Sequence, residues 1–286
     1  MIAITGANGQ LGQLVIQALL KQVDANELVA LVRSPEKALA LKALGVQVRQ
    51  ADYNQPTTLS SALKGVDKLL LISGSEIGQR VPQHQAVINA AKEADVKLLA
   101  YTSILKANTS PLILAGEHKA TEHAIKESGL DAVILRNGWY NENYSANLQG
   151  VLQSGVVATA AQDGKFSTAA RADYAQAAAN VLTSQTSQAG KVYELAGDNA
   201  YNQQEYAEEV AKQADKSIQF LSLSSEDFSQ ALVSHGLPEG FANVLADSDL
   251  HARKGWLFDD SKALSKLIGR NTTSISQSIK EVLEVS

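Results

Sequence analysis

The chain opens with MIAITGANGQLG at residues 1–12, and this stretch decides the fold. The short apolar run Ile2–Thr5 predicts a buried strand, and the amphipathic pattern of Leu11–Val23 predicts a helix directly after the glycine-rich loop. A strand, a glycine-rich loop and a helix in this order are typical of a nucleotide-binding β–α unit, whereas the loop alone would be a weak signal. The alternative is a tight glycine turn that binds no ligand.

The loop has the pattern G-x-x-G-x-x-G, and each glycine answers a separate physical demand. Gly6 permits the sharp exit from the strand, Gly9 lets the backbone approach a pyrophosphate, and Gly12 lets the helix pack close to the sheet. The N-terminus of the helix adds free N–H donors and the positive end of its dipole. The turn is therefore predicted to bind the phosphates of a dinucleotide.

Outward from this turn, the first half of the chain alternates short apolar runs with longer helical patterns. The predicted strands are Ile2–Thr5, Leu28–Val32, Val46–Gln50, Lys68–Ile72, Lys97–Thr102 and Ala132–Arg136. The predicted helices are Leu11–Val23, Pro35–Leu44, Thr57–Leu63, Pro82–Ala94 and Leu112–Ser128. Ser34 is expected to cap the second helix, with Pro35 at its first position and Gly45 after its last turn.

The strands and their connections together predict the fold class. Runs such as LLLIS and LLAYTS are apolar on both faces, as expected of strands buried between two helical layers of a parallel sheet. Strands separated by helices of this length form βαβ units, which are almost always right-handed crossovers. We therefore expect an α/β fold with a doubly wound parallel sheet of the NAD(P)-binding Rossmann type.

The pattern changes after about residue 150. The predicted strands are now Val156–Ala160, Val192–Ala196 and Ile218–Leu223, and the predicted helices are Arg171–Ser184, Gln203–Ala214, Ser225–His235, Gly240–Lys254 and Ile275–Val285. We expect an NADP-binding domain at residues 1–153 and a smaller, mixed and mostly helical substrate-side lobe at 154–286. Residues 171–196 can rejoin the first domain. A cleft between the two is the expected place for a substrate.

The residue after the second strand bears on the choice of dinucleotide. NAD-specific folds usually place an Asp or Glu here, about 20 residues beyond the glycine loop, to hold the ribose 2′-hydroxyl. This chain has Arg33, 21 residues after Gly12. A guanidinium can form a bidentate pair with a 2′-phosphate and stack on adenine, so NADPH is predicted in preference to NADH. The alternative is a surface arginine at a strand end.

Polar residues also follow the third and fourth predicted strands. Asp52 follows the third strand and Ser73, Gly74 and Ser75 follow the fourth. Ligands of doubly wound sheets lie at the carboxyl ends of the strands, which places Asp52 near the adenine and the serines near the ribose and phosphates. Turn chemistry explains the same residue types equally well, because Asp, Ser and Gly dominate turns.

These residues resemble the atypical short-chain dehydrogenase/reductase superfamily in its NmrA-like branch. The resemblance rests on G-x-x-G-x-x-G, Val32-Arg33, Ala51-Asp52-Tyr53 and Leu135–Tyr140. A closer likeness covers essentially the whole chain through Ile72–His84 (ISGSEIGQRVPQH), Arg136–Tyr144 (RNGWYNENY), Ala170–Tyr174 (ARADY), Leu245–Asp249 and Lys254–Arg270. It is to the bacterial NAD(P)H:quinone oxidoreductase 2 group. The triphenylmethane reductases are similar but more distant, particularly after Ser75.

The resemblance implies an NADPH-dependent quinone reductase that passes hydride directly from bound NADPH to a quinone in the cleft between the lobes. With Gly12 and Asp52 from the pattern above, the expected cofactor-binding residues are Gly6, Asn8, Gly9, Gln10, Leu11, Gly12, Arg33, Asp52, Ser73, Gly74, Ser75, Asn137, Gly138, Trp139, Tyr140 and Arg171. The last five would close over the nicotinamide half. Two alternatives stay open: an NADP(H)-binding redox sensor without turnover, and a reductase of other strong hydride acceptors such as triphenylmethane dyes.

The Tyr-x-x-x-Lys acid of ordinary short-chain dehydrogenases is missing, since none of the eight tyrosines has a lysine four residues later. The nearest equivalent segment contains His118 and Glu122, which share a helical face. His118 is therefore a candidate general acid or positioning group, and the alternative is a surface helix with a charge-assisted pair. Asn137 and Tyr140 are further candidate catalytic residues, as donors to developing negative charge.

The missing acid favours a particular kind of substrate. Reduction of a simple ketone gives a strongly basic alkoxide, so a positioned proton donor accelerates it by about 10²–10⁴-fold. A quinone gives a weakly basic hydroquinone anion and needs mainly alignment, for which proximity supplies ~7–11 kcal/mol. The expected partner is therefore a small quinone or a similar planar electron acceptor. Trp139, Tyr140, Tyr144 and Phe166 are candidates for the wall of a flat aromatic pocket, or for core packing.

Composition and charge argue against several other functions. Lys and Arg total 25 against 30 Asp and Glu, which gives a net charge of −5 and no broad basic surface for nucleic acid. No apolar stretch approaches ~18 residues, so membrane insertion is not expected. The N-terminus lacks the basic and apolar regions of a signal peptide, so a cytoplasmic protein is expected. Whether it is a monomer or a homodimer stays undetermined.

Residue usage also argues against a metal or thiol centre. The chain has no cysteine, which excludes disulfides, Cys-ligated metals and thiol nucleophiles. The five histidines form no H-E-x-x-H, and His118 and His123 face different directions on their helix, so no metal is expected. No flavin is implied, because hydride can pass directly from the nicotinamide.

Overall fold

The structure, a computed structural model, describes residues 1–285. Its strands are β1 (Ile2–Ile4), β2 (Leu28–Val32), β3 (Gln47–Gln50), β4 (Lys68–Leu71), β5 (Leu98–Ile104), β6 (Ala132–Asn137), β7 (Val156–Thr159), β8 (Val192–Leu195) and β9 (Gln219–Ser222). Its helices are α1 (Gln10–Leu19), α2 (Leu39–Ala43), α3 (Pro56–Ala62), α4 (Arg80–Glu93), α5 (Ile113–Ser128), α6 (Glu142–Ser145), α7 (Leu148–Ser154), α8 (Arg171–Thr183), α9 (Gln203–Ala214), α10 (Ser225–Ser234), α11 (Glu239–Ala252), α12 (Ala263–Ile268) and α13 (Ile275–Val285). Short 3₁₀ turns lie at Ala25–Glu27 and Pro35–Lys37.

The main sheet has seven strands in the order β3-β2-β1-β4-β5-β6-β8, and the pairs among β1 to β6 are parallel. Ile2 pairs with Leu28 on one side and with Lys68 on the other, so the strand order reverses between β1 and β4. Ligands of doubly wound sheets bind at such a reversal, beyond the carboxyl ends of the strands. The predicted doubly wound α/β fold is confirmed.

Alternation along the strands supplies two buried faces. One buried cluster joins strand residues to α3 and α4, with Ala3, Val29, Leu31, Leu69, Leu71, Leu99 and Tyr101 meeting Leu59, Ala62, Val87, Ile88 and Ala91. The alternate residues Ile4 and Leu70 are equally buried and point to the opposite layer, where α1 packs on α8. The sheet therefore carries helices on both faces, and both layers hold the carboxyl end of β1 in place.

The chain divides into two compact units. The first contains residues 1–107, 116–137 and 171–193, which include β1 to β6 and α8. The second contains residues 108–115, 138–170 and the chain from Glu194 onward. A parallel pair of strands, β7 and β9, lies in this second unit, together with α9 to α13. Across the described residues, no helix combines the length and the apolar character that crossing a membrane requires.

An aromatic cluster forms part of the core of the second unit. Tyr144 meets Phe166 edge-on with ring centroids 5.7 Å apart, and Phe166 stacks on Tyr201 at 6.2 Å. Tyr206 lies 6.0 Å from Tyr144, and burial raises the pKa of Tyr206 to about 12. Phe166 and Tyr201 are buried. Tyr144 and Phe166 therefore do core packing, the second of the two roles considered for them from sequence.

Several local predictions differ from the structure. The helix expected over Pro35–Leu44 is split into a 3₁₀ turn and the five-residue α2, and the Ser34 side chain makes no capping hydrogen bond. Gly45 does follow the last turn, with φ of +79°. The short helices α6, α7 and α12 were not predicted, because four to seven residues hold too few turns to show a helical period.

Candidate functional site

The glycine-rich turn lies where the sheet reverses its order, and its geometry requires glycine. Gly6 has φ of +57°, a conformation that L side chains rarely adopt. A Cβ on Gly12 would lie 2.4 Å from the Gly6 carbonyl oxygen and 2.7 Å from the Ala7 Cα, inside van der Waals contact. The Gly9 N–H donates to the Gly6 carbonyl at 2.8 Å and closes the turn. The helix therefore starts against the backbone of the loop, as the spacing predicts.

The start of α1 has the features of an anion site. Its N-cap residue is Gly9, so no side chain caps the first turn. The first N–H groups of a helix have no intrahelical acceptor, and the helix dipole places partial positive charge beside them. Gly6, Gly9 and Gln10 are exposed, which leaves the donors open to a ligand. An exposed glycine turn with uncapped donors at the start of the helix fits the pyrophosphate of a dinucleotide.

Arg33 lies at the end of β2 and is largely exposed. Its Nη1 donates to Oε1 of Glu76 at 3.0 Å, and Oε2 of Glu76 accepts from Nε2 of Gln83 at 2.9 Å. The guanidinium is therefore held by a carboxylate of the loop that follows β4. Sequence reasoning did not find Glu76, because a single glutamate in a loop carries no signal of a partner 43 residues away.

The loop after β4 is held by side chains in place of a sheet ladder. Three consecutive backbone N–H groups each donate to a side chain, from Ile72 to Thr5 Oγ1, from Ser73 to Thr102 Oγ1 and from Gly74 to His84 Nε2, all at 2.9 Å. The acceptors come from the end of β1, from β5 and from α4. Thus Ser73 and Gly74 have a fixed backbone at the carboxyl edge of the sheet, and Ser75 follows them as an exposed residue.

Two carbonyl groups of the same loop are also held. The Tyr53 hydroxyl lies 3.0 Å from the Ile72 carbonyl oxygen and 2.6 Å from Thr5 Oγ1, and Arg80 Nε donates to the Gly74 carbonyl at 2.5 Å. Burial raises the pKa of the Tyr53 phenol, so it is a neutral hydrogen-bonding group. Tyr53 thus joins the ends of three elements, a role that the Ala51-Asp52-Tyr53 motif alone did not reveal.

The Asp52 carboxylate makes its contacts within its own turn. Oδ1 accepts from the Asn54 N–H at 3.0 Å, and Oδ2 accepts from Gln55 Nε2 at 3.1 Å. This is the turn chemistry considered for Asp52 from sequence. The structure brings Asp52 to the same edge of the sheet as Arg33, since Ala51 N–H donates to the Val32 carbonyl.

His118 is buried, and its Nδ1 lies 2.7 Å from the hydroxyl of Tyr101. Burial, followed by the positive charge of Arg80 and the neighbouring His84, lowers the pKa of His118 from 6.5 to about 3. Burial likewise raises the pKa of Tyr101, so both groups are neutral near pH 7. A neutral imidazole is a poor proton donor, so this environment argues against a charged general acid at His118.

The surface pair of His118 with Glu122, which was the alternative considered from sequence, is absent from the described contacts of these residues. Glu122 instead forms a bidentate pair with Arg136, with Arg136 Nε to Oε1 at 2.9 Å and Nη2 to Oε2 at 2.6 Å. Ser103 also donates to Glu122 Oε1 at 2.6 Å. The alternative of a solvent-exposed helix face is therefore wrong for this segment, because α5 turns these residues toward β5 and β6.

The remaining predicted site residues lie at the end of β6 and at the start of α8. Asn137 is buried at the end of β6, and its carbonyl accepts from the Leu105 N–H at 3.0 Å. In the second unit the Gly138 N–H donates to the Leu195 carbonyl at 2.7 Å, and Tyr140 bridges to Ala169 in parallel. Trp139 and Tyr140 are half-buried, as is Arg171, the first residue of α8.

Comparison with known proteins gives consistent results for sequence and structure. A family profile described as NAD(P)H-binding matches residues 6–185. The chain is 56% identical over 286 residues to quinone oxidoreductase 2 of Escherichia coli (strain K12), covering 100% of both chains.

Two solved structures extend the comparison. An NADPH-dependent quinone oxidoreductase from Escherichia coli complexed with NADPH superposes with a TM-score of 0.96 at 56% identity, covering 99% of this chain and 100% of the other. The triphenylmethane reductase of Citrobacter sp. complexed with NADP(H) gives a TM-score of 0.94 at 38% identity, again covering 99% and 100%.

Proposed function

The chain belongs to the NAD(P)H-binding family, within the atypical, NmrA-like short-chain dehydrogenases/reductases, and from that premise we propose that it is an NADPH-dependent quinone reductase. The family match and the similarity along the full length confirm the resemblance inferred from the sequence. The observation that carries the proposal is the uncapped glycine turn at the start of α1, together with Arg33 at the end of β2, in a chain that matches a quinone oxidoreductase along its full length.

The proposed cofactor site has three parts in the first unit. The Gly6–Gly12 turn and the N–H groups of α1 bind the pyrophosphate, and Arg33 binds the 2′-phosphate of the adenosine ribose. Ser73–Ser75 contact the ribose and phosphates from the loop after β4. Asn137–Tyr140 and Arg171 are proposed to contact the nicotinamide half. The assignments of the glycine turn, Arg33 and Ser73–Ser75 rest on placement at the carboxyl edge of the sheet and on uncapped donors. Those of Asn137–Tyr140 and Arg171 rest on the family resemblance.

The chemistry that the cofactor supplies when bound is a hydride from the nicotinamide C4. The quinone accepts the hydride, which is equivalent to two electrons and one proton, and becomes a hydroquinone anion. This anion then takes a second proton from solvent. The residues of this chain therefore need to align the acceptor and exclude water more than to transfer a proton. Asn137 and Tyr140 are the proposed donors to the developing anion. His118, neutral at pH 7, acts as a hydrogen-bonding partner of Tyr101.

A stopped-flow experiment tests this function. Purified protein without added flavin or metal is mixed with NADPH and 1,4-benzoquinone, and loss of the nicotinamide absorbance is followed against a reaction without protein. Protein-dependent oxidation of NADPH with formation of one hydroquinone per NADPH is expected. If the protein binds NADPH and yet no quinone accelerates its oxidation, the function as a quinone reductase is wrong and that of a redox sensor is favoured.

Reduction of triphenylmethane dyes is the second candidate, supported by the close structural match to a triphenylmethane reductase. A cationic dye, like a quinone, accepts hydride without a proton donor. Comparing kcat/KM for quinones, dyes and aldehydes at fixed NADPH separates the two, because a dye reductase prefers the dye.

We further propose that the enzyme acts in the cytoplasm on small quinones, which fractionation of cells expressing the tagged protein would test.

A further inference from the structure

His84 lies in α4, in the first unit, and is fully buried. Its Nε2 accepts the backbone N–H of Gly74 at 2.9 Å. An amide N–H can only donate, so Nε2 carries no proton and the ring proton lies on Nδ1. Nδ1 lies 2.9 Å from Thr121 Oγ1, to which it therefore donates. The structure thus fixes both the charge state and the tautomer of this histidine.

The hydrogen-bond chain continues beyond the imidazole. The Thr121 hydroxyl donates in turn to the Glu117 carbonyl at 2.9 Å, which anchors the chain in the backbone of α5. Burial, and then the charge of Arg80, lowers the pKa of His84 to about 4, which keeps the ring neutral. The ring also meets Tyr101 edge-on at 5.5 Å. Every polar atom of the His84 ring therefore has a fixed partner, so rotation of the ring would break two hydrogen bonds.

Gly74 is held from both sides by one face of α4. His84 takes its N–H, and Arg80, one helical turn earlier, donates Nε to its carbonyl at 2.5 Å. Arg80 Nη1 lies 3.6 Å from Glu117 Oε2, and Oε1 of Glu117 accepts the N–H groups of Gly78 and Arg80. A Cβ on Gly74 would lie 3.1 Å from Gln83 Oε1, so the loop backbone packs directly on the helix.

We propose that His84 is a positioning residue for the cofactor, whose neutral Nδ1–H ring holds Gly74 so that Ser73–Ser75 are ordered before the dinucleotide binds. The inference rests on the proposed function, since it assigns that loop to the ribose and phosphates. Ordering the loop in advance removes an entropic cost from binding. This role was not visible in the sequence, where His84 is one of five histidines, ten residues beyond Gly74.

A residue that orders the loop should affect NADPH and NADH differently from a residue that binds the 2′-phosphate. The ribose and pyrophosphate are common to NADPH and NADH, so losing the His84 bond should weaken both by the same factor. We expect about tenfold weaker binding for each, the size of one lost buried hydrogen bond. At saturating NADPH, kcat should stay within about twofold, because His84 acts on the loop and not on the reacting atoms.

The first experiment is NMR of the uniformly ¹⁵N-labelled full chain. A scalar coupling across the hydrogen bond, between the Gly74 amide nitrogen and His84 Nε2, is expected, with imidazole shifts of the Nδ1–H tautomer. An Nε2–H tautomer, or a coupling absent from an assigned Gly74 resonance, would overturn the proposal. This measurement needs no cofactor, so its result is independent of the proposed function.

The second experiment compares variants by calorimetry with NADPH and NADH and by steady-state kinetics. His84→Phe keeps a ring against Tyr101 but removes the acceptor, whereas His84→Gln places an amide oxygen near the Nε2 position and should recover most of the affinity. His123→Gln, at an exposed position of α5, is the matched control and should bind as the wild type does. Wild-type affinity in folded His84→Phe overturns the proposal, as does failure of His84→Gln to bind better than His84→Phe.

If the wild type itself binds neither dinucleotide, the proposed function is wrong, and the NMR experiment still decides whether His84 holds Gly74.

Discussion

Nη1 of Arg33 lies 3.0 Å from Oε1 of Glu76, so the cation expected to bind a 2′-phosphate already holds a carboxylate. Both side chains are well exposed, at 70% and 45%. An exposed ion pair is worth about 0–1 kcal/mol, and a bidentate contact with phosphate is stronger. Binding of NADPH is therefore expected to exchange one anion for another at Arg33.

Arg33→Ala is expected to weaken NADPH binding by about one to two powers of ten and to leave NADH nearly unchanged. The reason is the loss of a charge-assisted pair that only the 2′-phosphate can form. Calorimetric Kd values for both dinucleotides check this. Lys37→Ala removes the same charge from a nearby exposed position and serves as the control. Equal losses for NADPH and NADH would show that Arg33 does not read the phosphate.

Glu76→Gln is expected to tighten NADPH binding by up to about fivefold, because it removes the carboxylate that competes for Arg33. The effect should shrink as salt is raised, since both groups are exposed and screened. NADH binding should not change. Titrations at low and high ionic strength measure the difference. Weaker NADPH binding in Glu76→Gln would mean that the carboxylate orients Arg33 toward the phosphate and does not compete with it.

Gly12→Ala is expected to disrupt the turn, because its Cβ would lie 2.4 Å from the Gly6 carbonyl oxygen. Relief of the clash moves either the loop or α1, at a cost of about 1–3 kcal/mol in the free energy of unfolding. NADPH binding should fall by at least about tenfold, since the donors of α1 shift with the helix.

Gly116 provides the matched control for that substitution. It lies in α5, has no neighbour within 4 Å of a built Cβ and has no positive φ. Gly116→Ala should therefore leave NADPH binding unchanged and raise the free energy of unfolding by about 0.4–1 kcal/mol. Urea unfolding and calorimetry of the two variants test the pair. Equal behaviour of the two alanine variants would refute the close approach of α1 to the loop.

The sequence predicted the parts of the site that depend on local pattern. The glycine turn could be assigned because the strand, the loop and the start of the helix lie within twelve consecutive residues. The doubly wound parallel sheet followed from repeated βαβ units. The bonds that hold the loop after β4 could not be predicted, because Thr5, Thr102 and His84 lie 67, 29 and 10 residues from their partners.

The environment of His118 shows the same limit. Its spacing to Glu122 suggested a shared helical face, but spacing cannot tell which face of a helix is buried. Burial, and the contact with Tyr101, depend on how α5 packs against β5. The Ser34 cap failed for a related reason: a preferred residue type at a helix start does not ensure the capping bond when the helix itself breaks after one turn.

Stability should fall in mild acid because two histidines are buried in neutral form. The folded-state pKa values of His84 and His118 are lowered from 6.5 to about 4 and about 3. Between pH 6.5 and these values the unfolded chain binds more protons than the folded one, so the free energy of unfolding falls as pH falls. Each group costs about 2 kcal/mol at pH 5 relative to pH 7.

Urea unfolding of the wild type and His118→Gln at pH 7, 6 and 5 measures this dependence. The wild type should lose about 2 kcal/mol more than the variant between pH 7 and pH 5, because glutamine does not titrate. Any loss of packing in the variant lowers its free energy of unfolding by the same amount at every pH. The difference in pH dependence between the two proteins therefore remains. Parallel curves for the two proteins would mean that His118 is not held neutral by the fold.

The low pKa of His118 also predicts how it contributes to turnover. A charged general acid would supply about 10²–10⁴-fold and would give the pH profile of kcat a limb that disappears on substitution. A neutral imidazole bonded to Tyr101 acts only through hydrogen bonding, so His118→Gln should lower kcat less than about tenfold. The profile between pH 5.5 and 8 should keep its shape.

Single-turnover kinetics with NADPH deuterated at the transferred position would confirm that hydride transfer is the step observed. Tyr101→Phe removes the hydroxyl 2.7 Å from Nδ1 and should reproduce the effect of His118→Gln if the two residues act as one unit. Unchanged turnover in both variants would remove the pair from the mechanism. A loss above 10²-fold (about the lower bound for a general acid) with a changed pH profile would instead restore His118 as the proton donor.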